Sequence, residues 1–438
     1  MKELRAGIAT ADITPPIGSW MCGFGGRPKG CTGIHDPLLL HALVLDDGAT
    51  ALAIITADIL SFSASMVAEI RQEISCRTPL AGRNVMLCGS HTHGGPALPH
   101  MKGMGEPDGQ YLAALRTKAV SAVRQAWGTR GPAHLGFGRG AVRIGVNRRM
   151  MTDQGMKIGR NPDGPYDQSV HVLRVDDDTG RPVAVLFHHA CHPVALGGGN
   201  LLLTADYPAD ARRTVEAMDG RPTAMFLQGC GGNINVDPRG SFEDARAAGL
   251  ALGSQAAGIA AGIETGTEAT LAVAIEMIAL PLTIPPARHL ARWLRRHEQA
   301  LTAAEADSRQ AGRLSYLSAE GRWLRRALEL SRGTGTAPTQ SFEIQVFRIG
   351  SAGLVALPAE VFVEIGQAIQ ADSPLAQAFV MGCANGCVGY LWPSAAAAEG
   401  GYEVDESVVC YDTLPFVPGA GEQVSQAAVA LLADVRCR

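Results

Sequence analysis

Three consecutive stretches restrict the fold most. "TALAIITADIL" (50–60) is an apolar run, "SASMVAEIRQEI" (63–74) has helical spacing, and "NVMLCGS" (84–90) is a second apolar run. A strand, a helix and a strand in that order predict an α/β chain. Ser63 stands where a helix N-cap belongs. The second strand runs directly into "HTHGGP", so whatever fold forms must display His91 and His93 at a strand end.

The alternation continues. A helix is predicted near 109–127. "HVLRVDD" and "PVAVLFHHA" (171–177 and 182–190) read as a hairpin around "DTGR". "TAMFLQG" (223–229) reads as a strand, 243–263 as a small-residue helix, and "ATLAVAIEMIALPLTI" as a buried strand. Residues 286–333 break the rhythm. Charges become dense, and Leu290, Trp293 and Leu294 fall at helical spacing. We read a helical hairpin inserted into, or laid across, the core, before strands resume at 341–350 and 353–358. The expectation is one α/β domain over residues 1–438, a mixed β-sheet core flanked by helices.

Charged residues make up 18% of the chain and the formal net charge is −4, so no basic field favours nucleic acid or an anionic membrane. No apolar run is long enough to cross a bilayer, and "MKELRAGIATADITPP" lacks the apolar segment of a secretion signal. A cytoplasmic protein with ten reduced cysteines is the expectation. The CxxxC pair Cys383 and Cys387 has no second pair of matching spacing to make a metal or redox motif.

Residues i and i+2 of a strand share a face, so His91 and His93 converge if the strand continues through them. Imidazole is the commonest metal ligand near neutral pH and the usual general acid or base. Two polar residues at a strand end are the plain alternative. A second cluster, "HHACHPV", places His188, His189 and His192 where another strand gives way to glycines. In "LQGCGGNINVDP" (227–238) backbone N–H groups offer an oxyanion site, or an ordinary turn.

Together, "GIATADITPP", "GIHDPLLLHALVL", "NVMLCGSHTHGGP", "GVNRRM", "HHACHPV", "QGCGGNINVDP", "LPAEVFVEIG" and "ANGCVGYLWP" followed by "GGYE" resemble, in order, the catalytic domain of the neutral/alkaline ceramidases. The resemblance implies one catalytic Zn2+ held by His91, His192, Glu360 and Tyr390. It implies that His93 lines the reaction centre, with Arg148 and Tyr402 beside it. Where ceramidases carry a serine, this chain has Asn235, which cannot act as a nucleophile but can donate to an oxyanion. Asp12, His35 and Asp58 stand in family-like stretches without an assigned role.

The resemblance therefore implies a zinc-dependent amidohydrolase cleaving a C–N bond by metal-activated water. The charged segment 286–333 and Asn235 point to a small soluble amide, lactam or ester rather than a two-chain lipid. An ester or lactone hydrolase, a true ceramidase and a non-catalytic binding protein are the alternatives. No C-terminal immunoglobulin-like domain, no nucleic acid and no stable membrane association are expected; self-association is left open.

Overall fold

The computed structural model describes residues 3–267, 269–306, 311–333 and 338–438. Two sheets face each other between layers of helices, the mixed α/β architecture expected from the alternation. The larger sheet has eight strands in the order Thr223–Gln228, Pro182–His189, Ser169–Asp177, Gly131–Ala141, Arg5–Asp12, Leu39–Asp46, Ala51–Ala57, Val85–Gly89. The outermost pair at each edge is parallel and the rest are antiparallel. The smaller sheet runs Leu271–Pro281, Thr339–Ile349, Ala352–Ala356, Gln377–Met381.

Alternation along the strands sends one set of side chains between the sheets. There Leu43, Leu52 and Ile54 meet Phe347, Leu354 and Phe379. Burying each contributes about 1.5–3 kcal/mol relative to leaving it in water. The opposite faces take helices. Ala64–Arg77 and Gly109–Gly128 cover Val44 and Ile55 with Ile70, Leu115 and Val123. Tyr207–Glu216 and Phe242–Ala261 cover Val172 and Phe187. Val363–Asp372 and Ala420–Cys437 cover the smaller sheet. Ser63 does cap its helix, accepting from the Met66 N–H at 3.1 Å.

The hairpin expected between 171 and 190 forms, with His188 opposite His171. Ala287–Glu305 and Ala311–Arg332 pack together and connect two antiparallel strands of the smaller sheet; residues 307–310 lie outside the described residues. Leu290, Trp323 and Leu324 turn inward, and the Trp323 indole donates to the Thr413 carbonyl. The strand Leu271–Pro281 differs from expectation. It is an edge strand, and past Ala274 it rises out of the core, leaving Met277 59% exposed. Among the described residues no helix is long and apolar enough to cross a membrane.

One contact set positions the site. Strand Val85–Gly89 and strand Thr223–Gln228 are opposite edges of the large sheet, yet both bridge to the smaller one, Cys88 to Ala384 and Gly229 to Met381. Asn385 tightens this join. Its N–H donates to the Leu87 carbonyl at 2.7 Å and its side-chain oxygen accepts the Leu87 N–H at 2.9 Å. The segments that follow both edges therefore meet.

Candidate metal centre and active site

His91 and His93 leave the strand end as expected, but not as strand residues. The strand stops at Gly89, and His91 has φ +64°. Shared strand facing thus does not explain their convergence; a loop does. The His91 N–H donates to the Ile59 carbonyl at 3.0 Å, and Gly94 packs against Thr204 where a Cβ would clash. Gly23, at φ +94°, lies against the His93 ring with no room for a side chain.

Of the second histidine cluster only His192 reaches the site. His188 bonds the Val380 carbonyl and His189 the Ser169 carbonyl, both inside the sheet. His192 is bracketed by the glycine loop: its N–H donates to Ile234 and its ring Nδ1 lies 2.6 Å from the Gly231 carbonyl oxygen. This corrects the oxyanion reading of the loop. The Gly231 and Gly232 N–H groups are spent on the Gly229 and Val361 carbonyls. Asn235 keeps its side chain at the cavity, its oxygen accepting from Arg148 at 3.3 Å.

His91 Nδ1 lies 3.0 Å from the Leu60 carbonyl oxygen. A carbonyl only accepts, so in both His91 and His192 the proton sits on Nδ1 and the Nε2 lone pair is bare. Both lone pairs point at one carboxylate oxygen: Glu360 Oε2 is 3.3 Å from His91 Nε2 and 2.8 Å from His192 Nε2. Three electron-pair donors so arranged repel one another unless a cation sits among them. The donor set, neutral imidazole with carboxylate, suits zinc. His91, His93 and His192 bring their nitrogens within 4.8 Å of one another.

His93 differs from its neighbours. Neither of its ring nitrogens has a hydrogen-bond partner, although both are buried. Nothing fixes its tautomer as carbonyls fix His91 and His192. Burial, reinforced by His91 and His192, pushes its pKa well below the ordinary imidazole value. Burial also lowers His192, to about 4, with Arg148 adding to the effect.

Tyr390 is the direct parallel-strand partner of Glu360. Its phenol oxygen accepts from Arg148 Nη2 at 2.9 Å. Arg148 also donates to Glu403 Oε1 at 2.8 Å, and Arg149 to Glu403 Oε2 at 2.9 Å. Tyr402 stands edge-on to Tyr390 with ring centroids 5.9 Å apart and lines the cavity. Burial raises both tyrosines well above the ordinary phenol value, while Arg148 pulls each downward.

Three contributors went unread in the sequence, and a fourth, Cys383, was read there only as half of a CxxxC pair. Glu403 follows Tyr402 in "GGYE" and joins the two arginines. The Tyr411 hydroxyl donates to Glu360 Oε1. Arg27, whose guanidinium donates, among the described residues, to the carbonyls of Cys22, His93 and Asn200, holds the His93 backbone. Cys383 places its sulfur 3.2 Å from His91 Nδ1 and 4.0 Å from the Cys387 sulfur, with both thiols unbridged.

A family profile described as neutral/alkaline non-lysosomal ceramidase, N-terminal, matches residues 4–231, just over half of the chain. The chain belongs to that family. His91 and His192 fall within the stretch matched to the ceramidases; Glu360 and Tyr390 lie beyond it. Two solved ceramidase structures share the fold. Neutral ceramidase from Pseudomonas aeruginosa is similar over 100% of this chain and 75% of its own, with a TM-score of 0.77 at 20% identity. A ceramidase complexed with C2 is similar over 100% and 76%, with a TM-score of 0.76 at 20% identity. As a ceramidase-family member, the chain is placed among hydrolases of amide bonds.

Proposed function

We propose that this chain is a zinc-dependent amide hydrolase, with His91, His192, Glu360 and Tyr390 holding one ion and His93 transferring protons. The observation that carries this reading is the convergence of two bare Nε2 lone pairs on Glu360. When bound, zinc would polarise the amide carbonyl and lower the pKa of water toward about 7.

The chain's own residues do the rest. The Leu60 and Gly231 carbonyls hold the ligand imidazoles in one tautomer. The Arg148 guanidinium favours the anionic form of Tyr390 and, with Tyr402, stands ready to donate to the substrate carbonyl. The side-chain amide of Asn235 is a further neutral donor on the cavity wall. His93, neutral because its pKa is depressed, accepts a proton from the attacking water and passes it to the leaving nitrogen. Water oxygen bonds the carbonyl carbon, the C–N bond breaks, and the amine leaves with the proton while the acyl part leaves as a carboxylic acid.

We read residues 1–438 as one catalytic unit, with the helices Ala287–Glu305 and Ala311–Arg332 as an insertion that walls the cavity. The cavity, about 670 Å³, suits a small-molecule amide. The test is hydrolysis of short N-acyl amides by protein stripped with a chelator and then reloaded. Activity lost on stripping and restored by zinc is expected; full activity in the stripped protein would contradict the reading.

A further inference from the structure

The cavity over the histidines is unusual in its charge. The chain as a whole is net negative, at −4, yet Arg148, Arg239 and Arg313 line this cavity and no aspartate or glutamate does so among the described residues. A concave surface lined by one sign of charge concentrates ligands of the opposite sign.

The three arginines are not equivalent. Arg148 is buried and works beside Tyr390, its charge balanced by Glu403. Arg313 reaches the wall from the inserted helix Ala311–Arg332; Asp405 and Glu406 line the neighbouring cavity on its other side. Arg239 follows the glycine loop. It makes no hydrogen bond or salt bridge among the described residues. Asp237, two residues before it, bonds Arg160 at 2.9 Å instead. Arg239 is exposed as a residue and its guanidinium only partly withdrawn from water; that partial burial, and then the positive charge of Arg148, act against its protonated form, with Asp237 opposing. An anion in the cavity relieves that repulsion. Phe24, Met104, Val194, Ile158 and the Tyr316 ring give the wall an apolar side.

We propose that the substrate is an amphipathic amide bearing a carboxylate, which Arg239 and Arg313 receive while its apolar part lies along Phe24, Val194 and Ile158. This rests on the hydrolase reading above. It separates the chain from hydrolases of uncharged lipid amides, because an uncharged substrate offers Arg239 no charged partner in the cavity. Arg239 is then a specificity residue rather than part of the proton-transfer machinery.

The experiment uses two isosteric probes, N-hexanoylglycine and N-hexanoylglycinamide, which differ only in carboxylate against carboxamide. Binding to the full-length zinc-loaded protein is measured by calorimetry, and cleavage of each is followed in parallel. The carboxylate is expected to bind at least about tenfold more tightly, with Arg239→Gln collapsing the ratio toward one and Arg313→Gln lowering it. Equal affinity in the wild type overturns the inference. So does a ratio that survives in Arg239→Gln, since the preference would then reside on the metal. Cleavage of both probes without preference leaves the hydrolase reading standing and this inference fallen. Preference without cleavage of either does the reverse.

Discussion

Glu360 and Tyr390 are direct partners across a two-residue parallel ladder, Glu360–Val361 against Tyr390–Leu391. The Glu360 N–H donates to Gly389 and the Phe362 N–H to Leu391, both at 2.9 Å. Backbone register alone therefore puts a carboxylate and a phenol side by side, facing the two histidines delivered by the large sheet. In the proposed ligand set, four residues far apart in sequence are brought together by two devices: this ladder and the Asn385 join.

His93 is expected to govern rate rather than metal content. His93→Ala should lower kcat by roughly 10²–10⁴, the usual general acid–base contribution, with zinc retained. Steady-state kinetics alongside metal analysis of the same preparation makes the comparison. Zinc lost together with activity would make His93 a ligand.

Glu403 holds Arg148 and Arg149 at 2.8 and 2.9 Å, and Arg148 in turn holds Tyr390. Groups that orient metal ligands typically matter by about 10–100-fold in affinity or activity. Glu403→Gln should weaken zinc binding or kcat/KM by that amount without moving any ligand. An unchanged chelator titration and unchanged kcat/KM would remove Glu403 from the site.

Asp58 answers a question the sequence left open. Both its oxygens take Arg212, at 2.8 and 2.6 Å, and Oδ2 also accepts the Leu39 N–H. Both side chains are buried. Asp58→Ala strands a buried guanidinium and should cost about 3–5 kcal/mol, read as a lowered urea midpoint. A midpoint close to the wild-type value would show that the pair is dispensable.

Acid should destabilise the fold through its buried histidines, with Asp206, which burial raises to about 6, opposing them in part. Burial, helped by Arg212, lowers His41 to about 3; burial, helped by His171, lowers His188 to about 3; and burial, with Lys102, lowers His100 to about 4. Between those values and the ordinary 6.5, the unfolded chain binds protons that the folded chain refuses. Stability therefore falls as pH drops from about 6.5 toward 4 and is flat from these groups above 6.5. Urea midpoints at pH 7.5, 6.5, 5.5 and 4.5, all set by the experimenter, check this; a midpoint indifferent to pH down to about 5 is the opposing result.

Much of this was legible because it depends on residue type and local spacing. The histidine-bearing strand ends, the hairpin around "DTGR" and the helices carrying Leu290 and Trp323 are local patterns. The direction of His91 was not legible, because a positive φ at a non-glycine residue is imposed by the loop's hydrogen bonds to Ile59 and Leu60. The exposure of Met277 depends on the strand lying at a sheet edge, which spacing does not encode. The Glu403 pairing spans 255 residues to Arg148, and Arg27 bonds backbone carbonyls, so neither leaves a motif.

The most direct test is an anomalous difference map at the zinc edge from crystals of the protein as purified. One peak is expected, about 2.0–2.2 Å from His91 Nε2, His192 Nε2, a Glu360 oxygen and the Tyr390 phenol oxygen, with His93 outside bonding distance. No peak among these four residues, or one bonded to His93 with Tyr390 out of reach, would contradict the assignment.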